Sequence, residues 1–169
     1  MQGFHRISHE ELENVCRLFD KDWTLITAGE AGCVNTMTAS WGGIGILWNK
    51  PVAFCFIRPQ RHTFSLTERF DTLSLSFFTE DYRAALRLCG SSSGRDVDKF
   101  EKTGLTPAFA GETPYVTQAR LVLLCRKLYA ADLQESAFLC PALLSHYKDG
   151  DFHRMYICEI EGAYARDKI

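Results

Sequence analysis

Hydrophobic and polar positions change period several times along this chain, and each change marks an element. Residues 23–28 (WTLITA) form an apolar run of strand length, closed by the turn residues Gly29, Glu30 and Gly32. Residues 33–41 (CVNTMTASW) are rich in Thr and Val and predict a second strand, which Gly42, Gly43 and Gly45 bend or bulge before a short stretch at 46–48. After a turn at Asn49, Lys50 and Pro51, residues 52–58 (VAFCFIR) read as a strand that is apolar on both faces. Pro59 then suits the first turn of a helix, where its missing N–H costs nothing, and this helix is expected to reach about Arg69. Residues 71–78 (DTLSLSFF) alternate with period two and predict another strand. Short helices are expected over 80–88, with Tyr82, Ala85 and Leu86 on one face, and over 97–102. The runs at 118–130 and 152–161 predict two more strands, and residues 141–147 a helix of one or two turns. Near the start of the chain, Ser8 and Glu11 have the spacing of a capping box.

The order of these elements bears on the fold class. Strands come first and helices are inserted later, without regular alternation and without a G-x-G-x-x-G segment, so a doubly wound parallel sheet is not supported. The expected class is mainly β: an antiparallel barrel with a few covering helices. No repeat or linker divides the chain, and 169 residues suit one core, so residues 1–169 are read as a single domain. A hydrophobic fraction of 46% fills such a core, and a formal net charge of -2 gives no basic face for nucleic acid. The polar residues 1–13 lack the apolar stretch of a signal peptide. No run approaches the roughly 20 apolar residues that span a bilayer. A soluble, cytoplasmic protein with no membrane partner is the expectation. The seven cysteines stand at 16, 33, 55, 89, 125, 140 and 158. None forms the C-x₂₋₄-C pair that a zinc or iron–sulfur site needs, so no metal is expected. Most are read as core thiols in a reducing compartment.

Three segments carry polar chemistry. In the first, Asn35, Thr36, Met37, Thr38, Ala39, Ser40 and Trp41 run into Gly42 and Gly43. Strand alternation places Thr36, Thr38 and Ser40 on one side, with Asn35, Met37 and Trp41 on the other. The glycines let backbone approach a planar ligand closely, although an edge strand with a bulge has the same pattern. In the second, Arg58, Pro59, Arg61 and Thr63 lie where a strand gives way to a helix. Free N–H groups and the positive dipole end favour an anion there, and arginine adds bidentate geometry for a phosphate. Two cations at a helix start need a negative partner, either a bound phosphate or an ion pair with Glu68 or Asp71. In the third, Ser91, Ser92 and Ser93, bounded by glycines and followed by Arg95 and Lys99, can form a backbone nest for an anion. The same residues also suit a plain loop in which Ser93 or Asp96 caps the next helix. No G-K-[ST] follows, so triphosphate hydrolysis is unsupported. His153 stands alone on a strand, where structural histidines outnumber reactive ones.

Taken together, NTMTASWGGIGILWNKP, FIRPQRHT, CGSSSGRDVDKF, CRKLYAADL and DFHRMYICEI stand in an order and at a spacing that resemble the flavin reductase-like family, and within it the flavoredoxin branch. The resemblance spans about residues 23–161. It implies a six-stranded antiparallel split barrel, a homodimer, and FMN held near the dimer interface. It further implies that residues Asn35 to Trp41 line the isoalloxazine and ribityl chain, and that Arg58, Arg61 and Thr63, with Pro59 between them, meet the phosphate. Ser91, Ser92, Ser93 and Lys99 would close over the flavin. His153 matches a histidine that lies near the nicotinamide in some flavin reductases, and it is the candidate catalytic residue. The implied activity passes electrons from NADH or NADPH to flavin or a downstream acceptor. Two alternatives stay open: a flavoredoxin-type carrier reduced by a redox protein, and a non-catalytic FMN-binding module. The chain departs from many relatives at Cys158, where they have Gly; this puts a thiol on the last strand, for which packing is the favoured role.

Overall fold

The computed structural model describes residues 1–166. Its strands are β1 (His5–Ile7), β2 (Thr24–Glu30), β3 (Cys33–Ala39), β4 (Gly42–Leu47), β5 (Lys50–Ile57), β6 (Thr72–Phe77), β7 (Pro107–Ala110), β8 (Thr113–Val116), β9 (Leu121–Asp132) and β10 (Arg154–Ala165). The α-helices are α1 (Val15–Arg17), α2 (His62–Arg69), α3 (Arg83–Ser91) and α4 (Lys99–Thr103), and 3₁₀ turns include Pro141–Tyr147. No helix among the described residues is long and apolar enough to cross a membrane.

One antiparallel sheet runs in the order β3-β2-β6-β9-β10-β5-β4, and β1 joins it on β10. This sheet has eight strands where six were expected, for two local reasons. The glycine segment after β3 does not bulge but continues as β4, paired with β5 from Gly42↔Cys55 to Leu47↔Lys50. A Cβ at Gly42 would lie 2.5 Å from Phe19 Cε1 and 2.7 Å from the Phe54 carbonyl oxygen, so glycine serves close packing there. The second addition is β1, which shares one edge of β10 with β5: β5 pairs with Arg154–Glu159 and β1 with Ala163–Ala165. The β4–β5 turn is tighter than expected, since Trp48 and Asn49 alone form it, with φ of 52° and 57°.

Alternate residues of β6 build the core. Leu73, Leu75 and Phe77 enter one buried apolar cluster inside the barrel, with Ile26, Met37 and Tyr156. The strand is nevertheless buried on both faces, because α3 and the β7–β8 hairpin carry a second cluster that includes Leu25, Leu86, Tyr115 and Val122. Sequence alternation showed the two faces but not the layer that covers the polar one. Prolines masked that hairpin: Pro107 and Pro114 lie within its strands, and proline demotes a strand reading.

The helix after β5 begins later than expected. Pro59 sits in an exposed turn closed by the Arg61 N–H on the Arg58 carbonyl (3.0 Å), and α2 starts at His62 with Arg61 in extended conformation before it. Proline disfavours helical conformation for the residue before it, so Arg58 stays extended and the turn must come first. The capping box forms as expected, Ser8 Oγ accepting from the Glu10 N–H and Glu11 from the Ser8 N–H. Asp98, not Ser93 or Asp96, caps α4.

Four cysteines (Cys55, Cys89, Cys125 and Cys158) are buried, and Cys16, Cys33 and Cys140 are exposed. Cys158 belongs to the barrel core, where its hydrogen bond with Cys55, together with burial, pushes Cys55 well above the ordinary thiol range, and burial does the same for Cys125. Its place in the core gives it a packing role.

Leu75 is fully buried in this barrel core. Leu75→Ala should lower unfolding stability by about 2–5 kcal/mol, seen as an earlier urea midpoint.

Candidate cofactor site

The strand β3 ends the sheet on one side, so its surroundings are free for helices and loops rather than another strand. Two cavities lie against it. One, of about 480 Å³, is lined by residues that include Val34, Asn35, His62, Gly94, Arg95 and Lys99. The other, of about 190 Å³, is lined by Met37, Thr38, Ala39, Ser40, Trp41, Phe56, Arg58, Arg61 and His153. Ten candidate residues from the sequence thus meet around one strand: Asn35, the five from Met37 to Trp41, Arg58, Arg61, Lys99 and His153.

The other candidates line neither cavity. Thr36 is packed in the sheet, its hydroxyl 3.0 Å from that of Thr27, while its carbonyl faces Lys99. Thr63 is fully buried and accepts the Asn35 side-chain amide at 2.9 Å, which fixes the start of α2 to β3. Ser91 turns back onto the Arg87 carbonyl (3.0 Å), and Ser93 accepts the Arg95 N–H (3.1 Å). Ser92 is half-buried and Pro59 exposed. Gly94 lets this loop close on β3: a Cβ there would stand 2.4 Å from Asn35 Oδ1.

Charge is distributed unevenly. Lys99 is only 2% exposed, and its ammonium donates to the carbonyls of Thr36 and Cys89, both at 2.9 Å. Arg61 donates to the same Cys89 carbonyl at 3.1 Å. That carbonyl lies in the last turn of α3, the negative end of the helix dipole. Neither cation has a carboxylate partner among the described residues. Burial, reinforced by Arg61, lowers the Lys99 pKa from 10.5 to about 8. Arg58 differs, since Asp151 neutralises it and the His146 carbonyl takes a second bond at 3.0 Å. Its acid is therefore neither Glu68 nor Asp71; Glu68 is engaged by the Tyr156 hydroxyl (2.6 Å) and by Arg154 (3.2 Å).

Sequence reasoning missed His62 as a site residue and gave Arg95 only a supporting place. His62 Nδ1 is buried with no hydrogen-bond partner among the described residues, and burial, Arg95 and Lys99 hold the ring's pKa below its usual value. The signal was its position as the first residue of α2, hidden by the reading that began the helix at Pro59. Arg95 is exposed and donates to the Gln60 carbonyl at 3.0 Å.

A larger cavity, about 1120 Å³, lies between the N-terminal segment and the start of β9, lined in part by Leu12, Asn14, Arg17, Asp22, Tyr82 and Arg120. Its arginines are already engaged: Arg17 and Arg120 both pair with Asp22, and Arg166 donates to the Thr117 carbonyl. The cavities on β3 therefore have the better chemistry for an anionic ligand.

Residues 16–169 match the family described as flavin reductase like domain. The chain belongs to this family. Solved structures agree on the fold. An FMN-binding domain of a flavin reductases-like enzyme from Shewanella baltica aligns with a TM-score of 0.67 at 21% identity, covering 96% of this chain and 77% of that one. Flavoredoxin of Desulfovibrio vulgaris gives 0.68 at 18% identity, covering 95% and 77%. An NADH:FAD oxidoreductase of Streptomyces globisporus, solved with NAD and FAD fragments, gives 0.64 at 16%, covering 85% and 74%. No curated protein matches the chain. The fold of this flavin reductase-like chain is thus the mainly β split barrel.

The buried ammonium gives a pH signature. Between about 8 and 10.5 an unfolded chain binds the Lys99 proton more fully than the folded one, so this residue's contribution to stability rises with pH across that window. The stability of the wild type minus that of Lys99→Met should increase over the same range in urea titrations. A flat difference would show that the ammonium is not desolvated.

Proposed function

We propose that this protein holds FMN non-covalently against β3 and passes electrons from NADH or NADPH to the flavin or to an onward acceptor. The observation that carries the reading is the meeting of two unlike cavities on one strand. The 480 Å³ cavity brings Lys99 and Arg95 beside a buried imidazole nitrogen that has no partner, a donor set suited to a phosphate. Its volume is within the range of about 300–1,000 Å³ usual for small-molecule sites. The 190 Å³ cavity has Met37 and Trp41 in its wall, apolar surface suited to a planar ring.

When bound, FMN supplies the acceptance of hydride and the release of electrons. The residues supply binding and electrostatics. His62, Arg95, Lys99 and Arg61 would hold the phosphate side, and the positive charge of the last three, which no carboxylate among the described residues pairs, favours an anion. Met37, Thr38, Ala39 and Ser40 would line the ring. Trp41, 44% exposed, and His153 would border the face where a second substrate stacks. Burial, with Arg58 adding to it, holds the His153 pKa at about 4, so the ring is uncharged at neutral pH. A neutral ring there leaves the positive charge of the site to the phosphate side. The named neighbours support this reading, one being an FMN-binding domain and another an NADH:FAD oxidoreductase. The flavoredoxin neighbour favours a second reading, a carrier reduced by a protein partner. In either case the working unit is proposed to be a homodimer.

The deciding experiment is the anaerobic absorbance spectrum of purified protein with FMN, before and after NADH or NADPH. Flavin bands that bleach with a nucleotide support the oxidoreductase. Bands that bleach only with a protein reductase support the carrier, and failure to take up FMN overturns both. Arg61→Ala should weaken FMN binding about tenfold or more, since hydrogen bonds to charged groups contribute roughly 1.5–3 kcal/mol. Fluorescence titration measures this, and wild-type affinity would remove Arg61 from the site.

A further inference from the structure

The segment between β9 and β10 meets the site through Asp151 on Arg58, His146 on Trp41 and a third contact, a side-chain pair with His153. Tyr147 ends the 3₁₀ turn Pro141–Tyr147, and its hydroxyl oxygen lies 3.0 Å from Nδ1 of His153, which stands just before β10. Both side chains are buried. Packing fixes the two rings. Tyr147 stacks on Phe152 at 4.8 Å with 22° between planes, and Phe138 meets its ring at 5.7 Å. The Arg58 guanidinium lies 5.4 Å from the centre of the Tyr147 ring and is itself tied to Asp151. The His153 carbonyl accepts the Leu133 N–H at 2.9 Å, and its ring stands 5.1 Å from that of Trp41.

Two proton arrangements fit a 3.0 Å contact between a phenol and an imidazole nitrogen. In one the phenol donates to Nδ1, which leaves the ring proton on Nε2. In the other Nδ1–H donates, and the phenol proton must find a different acceptor. The Tyr147 hydroxyl makes no other hydrogen bond among the described residues, so the second arrangement strands a donor at a buried position. Burial, with Asp151 adding to it, raises the Tyr147 pKa and keeps the phenol proton in place to donate, while Arg58 opposes positive charge on the imidazole. Of the charged groups around the pair, Arg58 and Asp151 pair with each other; the His146 ring meets the far ring, Trp41, at 5.5 Å.

We infer that Tyr147 is a positioning residue: its hydroxyl holds His153 as the neutral Nε2–H tautomer, so that the 190 Å³ cavity receives an uncharged hydrogen-bond donor beside Trp41. Such a donor suits a carbonyl oxygen, for example that of a carboxamide on an aromatic ring, and exerts no pull on the phosphates of the same molecule. This ligand assignment rests on the flavoprotein reading above; the tautomer does not.

Long-range ¹H–¹⁵N spectra of the histidine-labelled, FMN-supplemented protein test the inference, with His153 assigned by its loss in His153→Gln. The expected wild-type pattern has Nδ1 as the unprotonated nitrogen and Nε2 as the protonated one. In Tyr147→Phe, which keeps the ring on Phe152, the two resonances should move toward the average of both tautomers. A protonated Nδ1 in the wild type, or an unchanged pattern in Tyr147→Phe, overturns the proposal. Should that variant fail to fold, the wild-type spectrum alone decides. In kinetics, Tyr147→Phe should raise KM for the nicotinamide nucleotide about three- to tenfold, with kcat changed less than twofold. It should add nothing in a His153→Gln background. An unchanged KM beside the expected spectra overturns the ligand assignment. Absence of any flavin uptake beside those spectra counts against the flavoprotein reading and leaves the tautomer standing.

Discussion

The ammonium of Lys99 is the point on which the site's geometry depends. It is nearly sealed from water and satisfied by two main-chain oxygens, one from β3 and one from the last turn of α3. A buried charge with no carboxylate to answer it is costly, so the partial charges of the peptide groups must be well placed. That requirement joins α4, α3 and β3 at one locus, and Arg61 adds a bond to the same Cys89 oxygen. The hydrogen bond between Asn35 and Thr63 completes the frame from the α2 side. The walls of the larger β3 cavity are consequences of these few contacts.

A contrast between the two arginines of the Arg58–Arg61 segment follows from their surroundings. Arg58 points toward the β9–β10 segment and spends its charge on Asp151, which Gln60 also contacts at 2.6 Å. Arg61 points toward α3 and, among the described residues, donates to a carbonyl and to no carboxylate, so its charge is not neutralised. Three residues apart in sequence, one arginine builds the wall and the other supplies the field.

How much of this was legible in the chain depends on the range of each interaction. Strand-length apolar runs, Thr- and Val-rich composition and, for β6, alternation located β2, β3, β5, β6, β9 and β10 within a few residues, because these are local properties. The β7–β8 hairpin was hidden, since its prolines sit where ladder hydrogen bonds are not needed and no local rule reveals that. The start of α2 slipped because Pro59 suits a helix start and a turn equally. Candidate residues around β3 were legible through their motifs. Their partners were not: Asp151 lies 93 positions from Arg58, and Cys89 meets Arg61 across 28. His62 was passed over since its value lies in what it lacks, a partner for a buried nitrogen. Cys158 was legible as a thiol on the last strand, but only packing shows that it faces the core.

The shared edge of β10 has a consequence for how the chain is made. Along its length β10 pairs with β9, and its other edge serves both β5 and β1, so it meets segments from almost the whole chain. It also follows every other described strand in sequence. During synthesis, β2 and β3 can pair as soon as they emerge, and β4 and β5 likewise, because each hairpin is local. The free edges of β1, β5 and β9 must wait for β10, which is translated after every other described strand. Until then three strands of the nascent chain lack the partner that β10 supplies, and pairing across such separations is slow. The barrel closes in one late event, and the protection of those edges falls to whatever meets the chain before β10 arrives.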